Sequence, residues 1–242
     1  MGLNPLGSQI GTDLTITDGD LTTNVAVQQH VLGARATTGD GRYFRYVKAG
    51  AVALVPGNLQ QCAAETTAWE DLDFASAAIG DLSLTTVSTV TLTENQLAEG
   101  YAIVTTGTGA GYQYKIKSNP AVIGAVVKIQ LYDAIQVATP SGGDIDLIPS
   151  PYSGVIINPS SATGMPVGVA VFPVTALYFG WIQTAGPATI LSDGGSTVGT
   201  NVSASNGTPG AVEAEVTAQA SVGVAMTGVT TAEYGLFMLN LS

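Results

Sequence analysis

The stretch VGVAVFPVTALYFGWIQTAGPATIL (Val167–Leu191) contains no charged residue and holds one of the two tryptophans of the chain. Its β-branched and aromatic residues favour strands. Gly168, Pro173 and Gly180 would each interrupt a helix. The stretch therefore predicts β-strands.

Part of this stretch returns near the C-terminus. VGVA at Val167–Ala170 reappears at Val222–Ala225, and TALYFGWI at Thr175–Ile182 is echoed by TAEYGLFM at Thr231–Met238. The first block repeats after 55 residues and the second after 56, which implies a residue gained in the turn between them. The echo predicts two equivalent strand pairs in one β layer, and two copies are too few for a solenoid.

The rest of the chain has the composition of an all-β protein. Thirty Gly, eleven Pro and abundant Thr punctuate short apolar runs over 242 residues, which favours strands and turns. We expect small β-barrel or β-sandwich modules with an extended N-terminal arm. The predicted limits are an arm at residues 1–24, a β domain at 25–150 and a C-terminal β domain at 151–242. The last boundary follows the Gly/Pro-rich connection Pro140–Pro151.

The charges are few and unevenly placed. Charged residues make up 10% of the chain and the net charge is −11, whereas soluble domains usually contain about 25% charged residues. We therefore expect partners to cover much of the exterior. All basic residues lie at or before Lys128, so the C-terminal half lacks the cations that nucleic acids or anionic membranes require. We expect neither as a partner.

Basic and aromatic residues interleave in RYFRYVK (Arg42–Lys48). Such a pattern can stack nucleic-acid bases, but acids surround it and no second basic cluster follows. We expect the aromatic rings to pack inward. The cations Arg35, Arg42, Arg45 and Lys48 are then expected to meet carboxylates of acidic neighbours or of a partner.

The segment DLTITDG (Asp13–Gly19) alternates Leu14 and Ile16 with threonines. Met1–Asn24 is therefore either a disordered terminus or an arm that adds a strand to the exposed sheet edge of a partner, and the alternation favours such a strand. The N-terminus has no basic and apolar leader pattern, and six prolines interrupt the uncharged span 147–192. We therefore expect a soluble protein made in the cytosol of its producer.

No constellation of residues indicates catalysis or a cofactor. His30 and Cys62 are the single histidine and cysteine, which is too few for a zinc site or a nucleophile–histidine pair. The acid pairs at 18–20 and 144–146 lack a calcium-binding loop. The GTGAG glycines precede a strand where a phosphate loop needs a helix. We expect no enzyme, no metal and no cofactor.

The order of several blocks resembles a family of tailed-phage virion proteins that decorate or cement heads. The blocks are GRYFRYVKAG, ALVPGNLQQ, EGYAIV, GYQYKI, SPYSGVII, VGVA, FGWIQTAGPA and, after a second VGVA, EYGLFMLNL, and together they span roughly Val25–Leu241. None is a catalytic signature. The resemblance rests on their order and on the WIQTAG block.

This resemblance implies β-barrel or β-tulip modules that sit, commonly as homotrimers, on the outside of shells built from an HK97-type major capsid protein. Such proteins clamp neighbouring capsomers against internal DNA pressure, on the outer surface of a virion assembled in the bacterial cytoplasm. No catalytic or ligand-binding residue carries over. The expected capsid interface is Leu14, Ile16, Arg35, Arg42, Arg45 and Lys48, and the expected subunit interface is Tyr178 and Trp181.

Two alternatives belong to other classes of protein. A receptor- or glycan-binding module of a head or tail fibre predicts exposed aromatic platforms, for which Trp69, Tyr152, Tyr178 and Trp181 are the candidates. A β-sandwich hydrolase would need catalytic partners for His30 or Cys62, and the sequence offers none.

Overall fold

The computed structural model describes residues 13–241, and it is an all-β protein, as predicted. Within that range the helical structure is α1 (Asp18–Thr22) and a 3₁₀ turn at Thr67–Trp69. The strands are β1 Leu14–Thr15, β2 Arg35–Thr37, β3 Tyr43–Lys48, β4 Leu59–Gln61, β5 Leu72–Asp73, β6 Ser83–Thr85, β7 Val90–Leu92, β8 Tyr101–Val104, β9 Gln113–Ser118, β10 Val122–Ala125, β11 Lys128–Leu131, β12 Asp144–Ile148, β13 Ile156–Ile157, β14 Pro166–Val169, β15 Phe179–Ser192, β16 Asn201–Ala204, β17 Ala211–Ala214, β18 Ser221–Ala225 and β19 Tyr234–Asn240.

The chain folds as two compact units, and one is inserted into the other. The inserted unit is Ala64–Ser153, and the discontinuous unit combines the described residues up to Ala63 with those from Gly154 onward. This division differs from the predicted limits 25–150 and 151–242. The reason is strand pairing over long sequence distances, because β3 pairs with β15 and β4 pairs with β14. A local pattern of hydrophobic residues does not show which distant strands pair.

The inserted unit is a small barrel. Its six strands run in the order β5-β12-β8-β9-β11-β6, and a bridge between Phe74 and Thr86 joins the two ends of this sheet. The core includes Phe74, Ile116, Ile129 and Ile145, which are at most 1% exposed. β8 and β9 form an antiparallel hairpin.

The discontinuous unit contains a five-stranded barrel and a half-barrel that share one strand. Strands β15, β17, β16, β18 and β19 pair in that order, and β19 closes the ring by pairing with the C-terminal half of β15. The N-terminal half of β15 pairs with β3 and β14, and β14 also pairs with β4.

Four corners of eight residues connect these strands. We name them corner A (51–58), corner B (171–178), corner C (193–200) and corner D (226–233). Each corner ends in a type II turn with a backbone hydrogen bond from its last residue to the third residue before it. The seventh residue of each corner has a positive φ: Gly57 (76°), Leu177 (66°), Gly199 (83°) and Ala232 (64°). In corner A the sequence VPGN has the Pro-Gly pair that is typical of a type II turn.

The corners form two hydrogen-bonded pairs, A with B and C with D. In corners A and B the backbones of Leu54 and Val174 exchange hydrogen bonds of 2.9 and 3.2 Å. In corners C and D, Ser196 and Val229 do the same at 3.1 and 3.2 Å. In both cases the strand before one corner pairs with the strand after the other corner. We call corners A and B with their strands the first arch pair, and corners C and D with theirs the second arch pair.

The two arch pairs have matching registers. Gln60 faces Gly168 in the first arch pair, and Val202 faces Gly223 in the second. A bulge follows each of these rungs at the corresponding place. The second arch pair therefore repeats the backbone path of the first.

This repetition corrects the predicted offset of the sequence echo. Val174 and Val229 occupy the same bridge position, and Phe179 and Tyr234 begin the equivalent strands β15 and β19. The spacing is therefore 55 residues throughout, without the gained residue that aligning the tyrosines implies. The expected equivalence of two strand pairs in one sheet is confirmed.

The described part of the predicted arm, Asp13–Asn24, packs on its own chain, while residues 1–12 lie outside the described range. β1 pairs in parallel with β2, with Leu14 opposite Ala36. α1 begins at a capping box formed by Thr17 and Asp20. Ile16 and Leu21 are 8% and 4% exposed. Burial of these two side chains ties the segment down.

Residues Val25–Leu32 do not form a regular strand. Only Val25 forms a bridge there, with Phe179. The Gln28 side chain donates to the carbonyl of His30 at 2.9 Å, and the backbone N–H of Gln29 donates to the Tyr46 hydroxyl at 3.2 Å. These bonds replace the regular ladder of a strand.

Candidate binding surfaces

The structure places the predicted capsid contacts Leu14 and Ile16 inside the discontinuous unit. Ile16 is buried in a cluster with Leu21, Tyr46 and Trp181, and the half-buried Leu14 packs against that cluster. Their side chains therefore already have partners within the chain. A strand addition that used them would first have to release them.

The predicted cations lie near one another but meet carboxylates of their own chain. Arg35 Nε is 3.5 Å from Asp13 Oδ1. Arg42 Nε lies 2.7 Å from Asp40 Oδ2, and Arg42 Nη2 lies 3.5 Å from Asp18 Oδ1. Bonds from the Thr38 hydroxyl and then from Arg42 lower the pKa of Asp40. Arg35 and Arg42 therefore pair with carboxylates of acidic neighbours in their own chain, which is one of the two kinds of carboxylate expected from sequence.

The other two predicted cations also contact their own chain. Arg45 Nη1 donates to the carbonyl of Gly33 at 2.9 Å. The Lys48 ammonium lies 5.6 Å from the centre of the Phe179 ring, within the range of a cation–π contact. The four side chains therefore form no separate basic patch.

The two residues predicted at the subunit interface differ in their exposure. Trp181 is 4% exposed, and its ring lies 5.0 Å from that of Tyr46 and 5.4 Å from that of His30. Burial raises the pKa of Tyr46. Trp181 is thus a core residue of this chain. Tyr178 is 37% exposed at the end of corner B, and its role in an interface stays a prediction.

The candidate aromatic platforms are mostly covered. Trp69 is 8% exposed and Trp181 4%, and Tyr152 is half-buried. Among the four candidates, Tyr178 alone is exposed.

Two exposed features were not predicted. The first is a group of apolar side chains on the inserted unit: Ile123 is 89% exposed, Val87 55% and Val126 52%. Val87 and Val126 flank the backbone bond from Thr86 N to Val127 O. The uncharged run AVIGAVV at 121–127 is the signal in the sequence, but its period does not show which side chains face outward.

The second feature is a groove of about 420 Å³ in the discontinuous unit. It runs along the middle of β15, between corner A and β19, and its walls include Arg42, Gln183, Pro187, Tyr234 and Leu236. Tyr234 is 54% exposed. The sequence echo identified Tyr234 as a repeated tyrosine without indicating its exposure.

The metal-ligating side chains are scattered in the part of the chain that the structure describes. No group of three or more His, Cys, Asp or Glu side chains there could hold a metal ion. A hydrogen bond with Glu65 raises the pKa of Glu70, although neither side chain is buried. Cys62 is a free, half-buried thiol whose sulfur accepts from Met165 N at 3.1 Å.

No helix among residues 13–241 is long and apolar enough to cross a membrane. Comparisons with models of protein families, with characterised proteins and with solved structures find no significant match for this chain.

Proposed function

We propose that the chain is a non-enzymatic structural protein of a tailed-phage virion. It binds the outside of an HK97-type capsid shell as a decoration or cement protein and stabilises that shell. Support comes from the ordered resemblance over Val25–Leu241, from the low charge content and from the all-β barrels. A shell-binding protein needs many weak contacts repeated by symmetry rather than a titratable constellation.

The observation that carries this proposal is the apolar surface of the inserted unit. Ile123, Val87 and Val126 are large apolar side chains that are more than half exposed. Full burial of Ile123 by a partner stabilises a complex by about 1.5–3 kcal/mol, and burial of each half-exposed valine by about half as much. Contiguous exposed apolar side chains mark protein-interaction surfaces, and we propose that these three side chains contribute to one.

The proposed contact therefore differs from the one expected from sequence. Leu14 and Ile16 pack on their own chain, and Arg35 and Arg42 already pair with carboxylates. These side chains would give up existing contacts in order to bind a shell. The exposed side chains of the inserted unit would give up only water.

The test compares two exposed apolar residues in different units. Ile123→Asp removes the most exposed apolar side chain of the inserted unit, whereas Val198→Asp changes a 62% exposed valine in corner C. Co-sedimentation with purified shells of the encoding virus measures binding, and light scattering gives the oligomeric state. We expect Ile123→Asp to weaken binding at least about tenfold and Val198→Asp to bind like the wild type.

Wild-type protein that does not sediment with shells would contradict the proposed function. Equal binding by Ile123→Asp and the wild type would contradict the proposed surface. Light scattering separates loss of the homotrimer from loss of the shell contact.

A further inference from the structure

The groove beside Tyr234 combines a flat apolar surface with polar groups of both kinds. The Tyr234 ring stands directly on the backbone of corner A, since a Cβ atom at Gly57 would lie 2.6 Å from Tyr234 Cε1. This close approach holds the ring in place while leaving the side chain 54% exposed. Pro187 and Leu236 extend the apolar wall.

The wall also contains a buried hydrogen-bond acceptor. Gln183 is fully buried, and its Nε2 donates to the carbonyls of Ala185 at 3.1 Å and Pro187 at 2.8 Å. Because both partners are acceptors, the atom that bonds them must be the amide nitrogen. The orientation of the amide is therefore fixed, and Oε1 is its hydrogen-bond acceptor. Gln183 Oε1 has no hydrogen-bond partner within the described residues. A buried acceptor of this kind favours a ligand that brings a donor.

Arg42 supplies donors on the same groove. A guanidinium has five N–H donors, and the ion pairs with Asp18 and Asp40 engage Nη2 and Nε. The two carboxylates more than offset the single positive charge, so the groove does not require an anionic ligand. Its volume of about 420 Å³ falls within the range of roughly 300–1,000 Å³ that is usual for ligand sites.

We propose that this groove binds a neutral carbohydrate. The apolar C–H face of one sugar ring packs on Tyr234, one hydroxyl donates to Gln183 Oε1, and another sugar oxygen accepts from Arg42. A hydroxyl group both donates and accepts, which matches the two kinds of polar group in the wall. The site is independent of the proposed shell contact, because it lies in the discontinuous unit and uses none of the same residues.

The first experiment uses the full chain with three probes: maltotriose, triacetylchitotriose and lactose. Saturation-transfer NMR and titration calorimetry detect and measure binding. Tyr234→Ala removes the platform, and Tyr178→Ala is the control, since Tyr178 is also exposed but lies outside the groove. We expect at least one probe to bind the wild type, with about tenfold or greater loss in Tyr234→Ala and no change in Tyr178→Ala.

A second pair of variants tests the acceptor. Gln183→Met and Gln60→Met each remove a buried amide whose Oε1 is unpartnered among the described residues, but Gln60 lies outside the groove. We expect only Gln183→Met to weaken binding when both variants fold, as judged by their melting curves. If no probe binds, or if Tyr234→Ala binds like the wild type, the carbohydrate site is overturned. Neither result bears on shell binding.

Discussion

The two arch pairs share one backbone path but expose their equivalent outer faces very differently. Phe179 is 8% exposed, whereas Tyr234 at the same position of the second arch pair is 54% exposed. Gln183 is fully buried, whereas its counterpart Met238 is 41% exposed. In the first arch pair Ile16 and Leu21 cover this face. The outer face of β19 stays open to solvent.

The difference teaches that the corners and registers determine the path of the chain, while the covering segment determines which face stays exposed to solvent. The same contrast holds inside the pairs. Gln60 and Val202 occupy matching positions and both are fully buried. The first arch pair thus buries an amide where the second buries a valine. A repeated backbone can therefore carry a polar interior in one copy and an apolar one in the other.

The largest effect is expected where the two arch pairs are most alike. A Cβ atom at Gly223 would collide with the backbone carbonyl oxygen of Met238, and one at Gly168 would lie 2.7 Å from that of Gln183. We expect Gly223→Ala to lower the free energy of unfolding by about 4 kcal/mol or more. The reason is that the new Cβ atom meets a backbone atom, which cannot move aside as the end of a flexible side chain can. Urea denaturation measures the loss.

Gly39→Ala is the control, because a Cβ atom there meets nothing within 4 Å. We expect it to change stability by less than about 0.5 kcal/mol. Similar losses in both variants would show that close packing at the rung is not what requires glycine.

Trp181 on the covered face and Leu236 on the open face occupy equivalent positions of the two arch pairs. Replacing each with alanine compares how much the two faces contribute to stability. Trp181 is 4% exposed under the N-terminal segment, and Leu236 is half-buried. We expect losses of about 3–5 kcal/mol for Trp181→Ala and about 1 kcal/mol for Leu236→Ala. Calorimetric melting checks both values. Equal losses would mean that the covering segment adds little to the first arch pair.

The all-β class, the hairpin of β8 and β9 and the turn at VPGN follow from local patterns, since alternation and turn residues act over a few positions. The equivalence of corners A and C could not be predicted in this way. AVALVPGN and DGGSTVGT share little besides the glycine at the seventh position. Leu177 and Ala232 adopt the same positive φ without glycine, so the tertiary hydrogen bonds of the interlocked corners override local preference.

The candidate sites were the least predictable feature. Tyr234 is exposed because no segment within residues 13–241 covers the outer face of β19, and Trp181 is buried because Ile16 and Leu21 pack over it. Both outcomes depend on contacts between segments far apart in sequence. The basic cluster was found, but its pairing with Asp13, Asp18 and Asp40 required the fold.

The smallest expected effect concerns a charge present in only one arch pair. Asp193 in corner C occupies the position of Ala51 in corner A. Its carboxylate accepts from the Ser205 hydroxyl at 2.6 Å, and this bond, the largest cause, lowers the pKa of Asp193. A carboxyl with a lowered folded-state pKa stabilises the fold above its unfolded pKa of about 4, and this contribution disappears as the pH falls through the folded value. We expect Asp193→Asn to melt roughly 1–3 °C below the wild type at neutral pH and to converge with it in acid.

The charge and the hydrogen bond can be separated at this corner. Asparagine keeps an oxygen that can accept from Ser205, so Asp193→Asn removes the charge and can keep that bond. Ser205→Ala instead removes the donor and also leaves the backbone N–H groups of Gly207 and Thr208 without their acceptor. That variant should be less stable than the wild type even in acid, because the two backbone bonds do not depend on the ionisation of Asp193. A constant gap between Asp193→Asn and the wild type at every pH would show that the carboxylate stabilises corner C by shape rather than by charge.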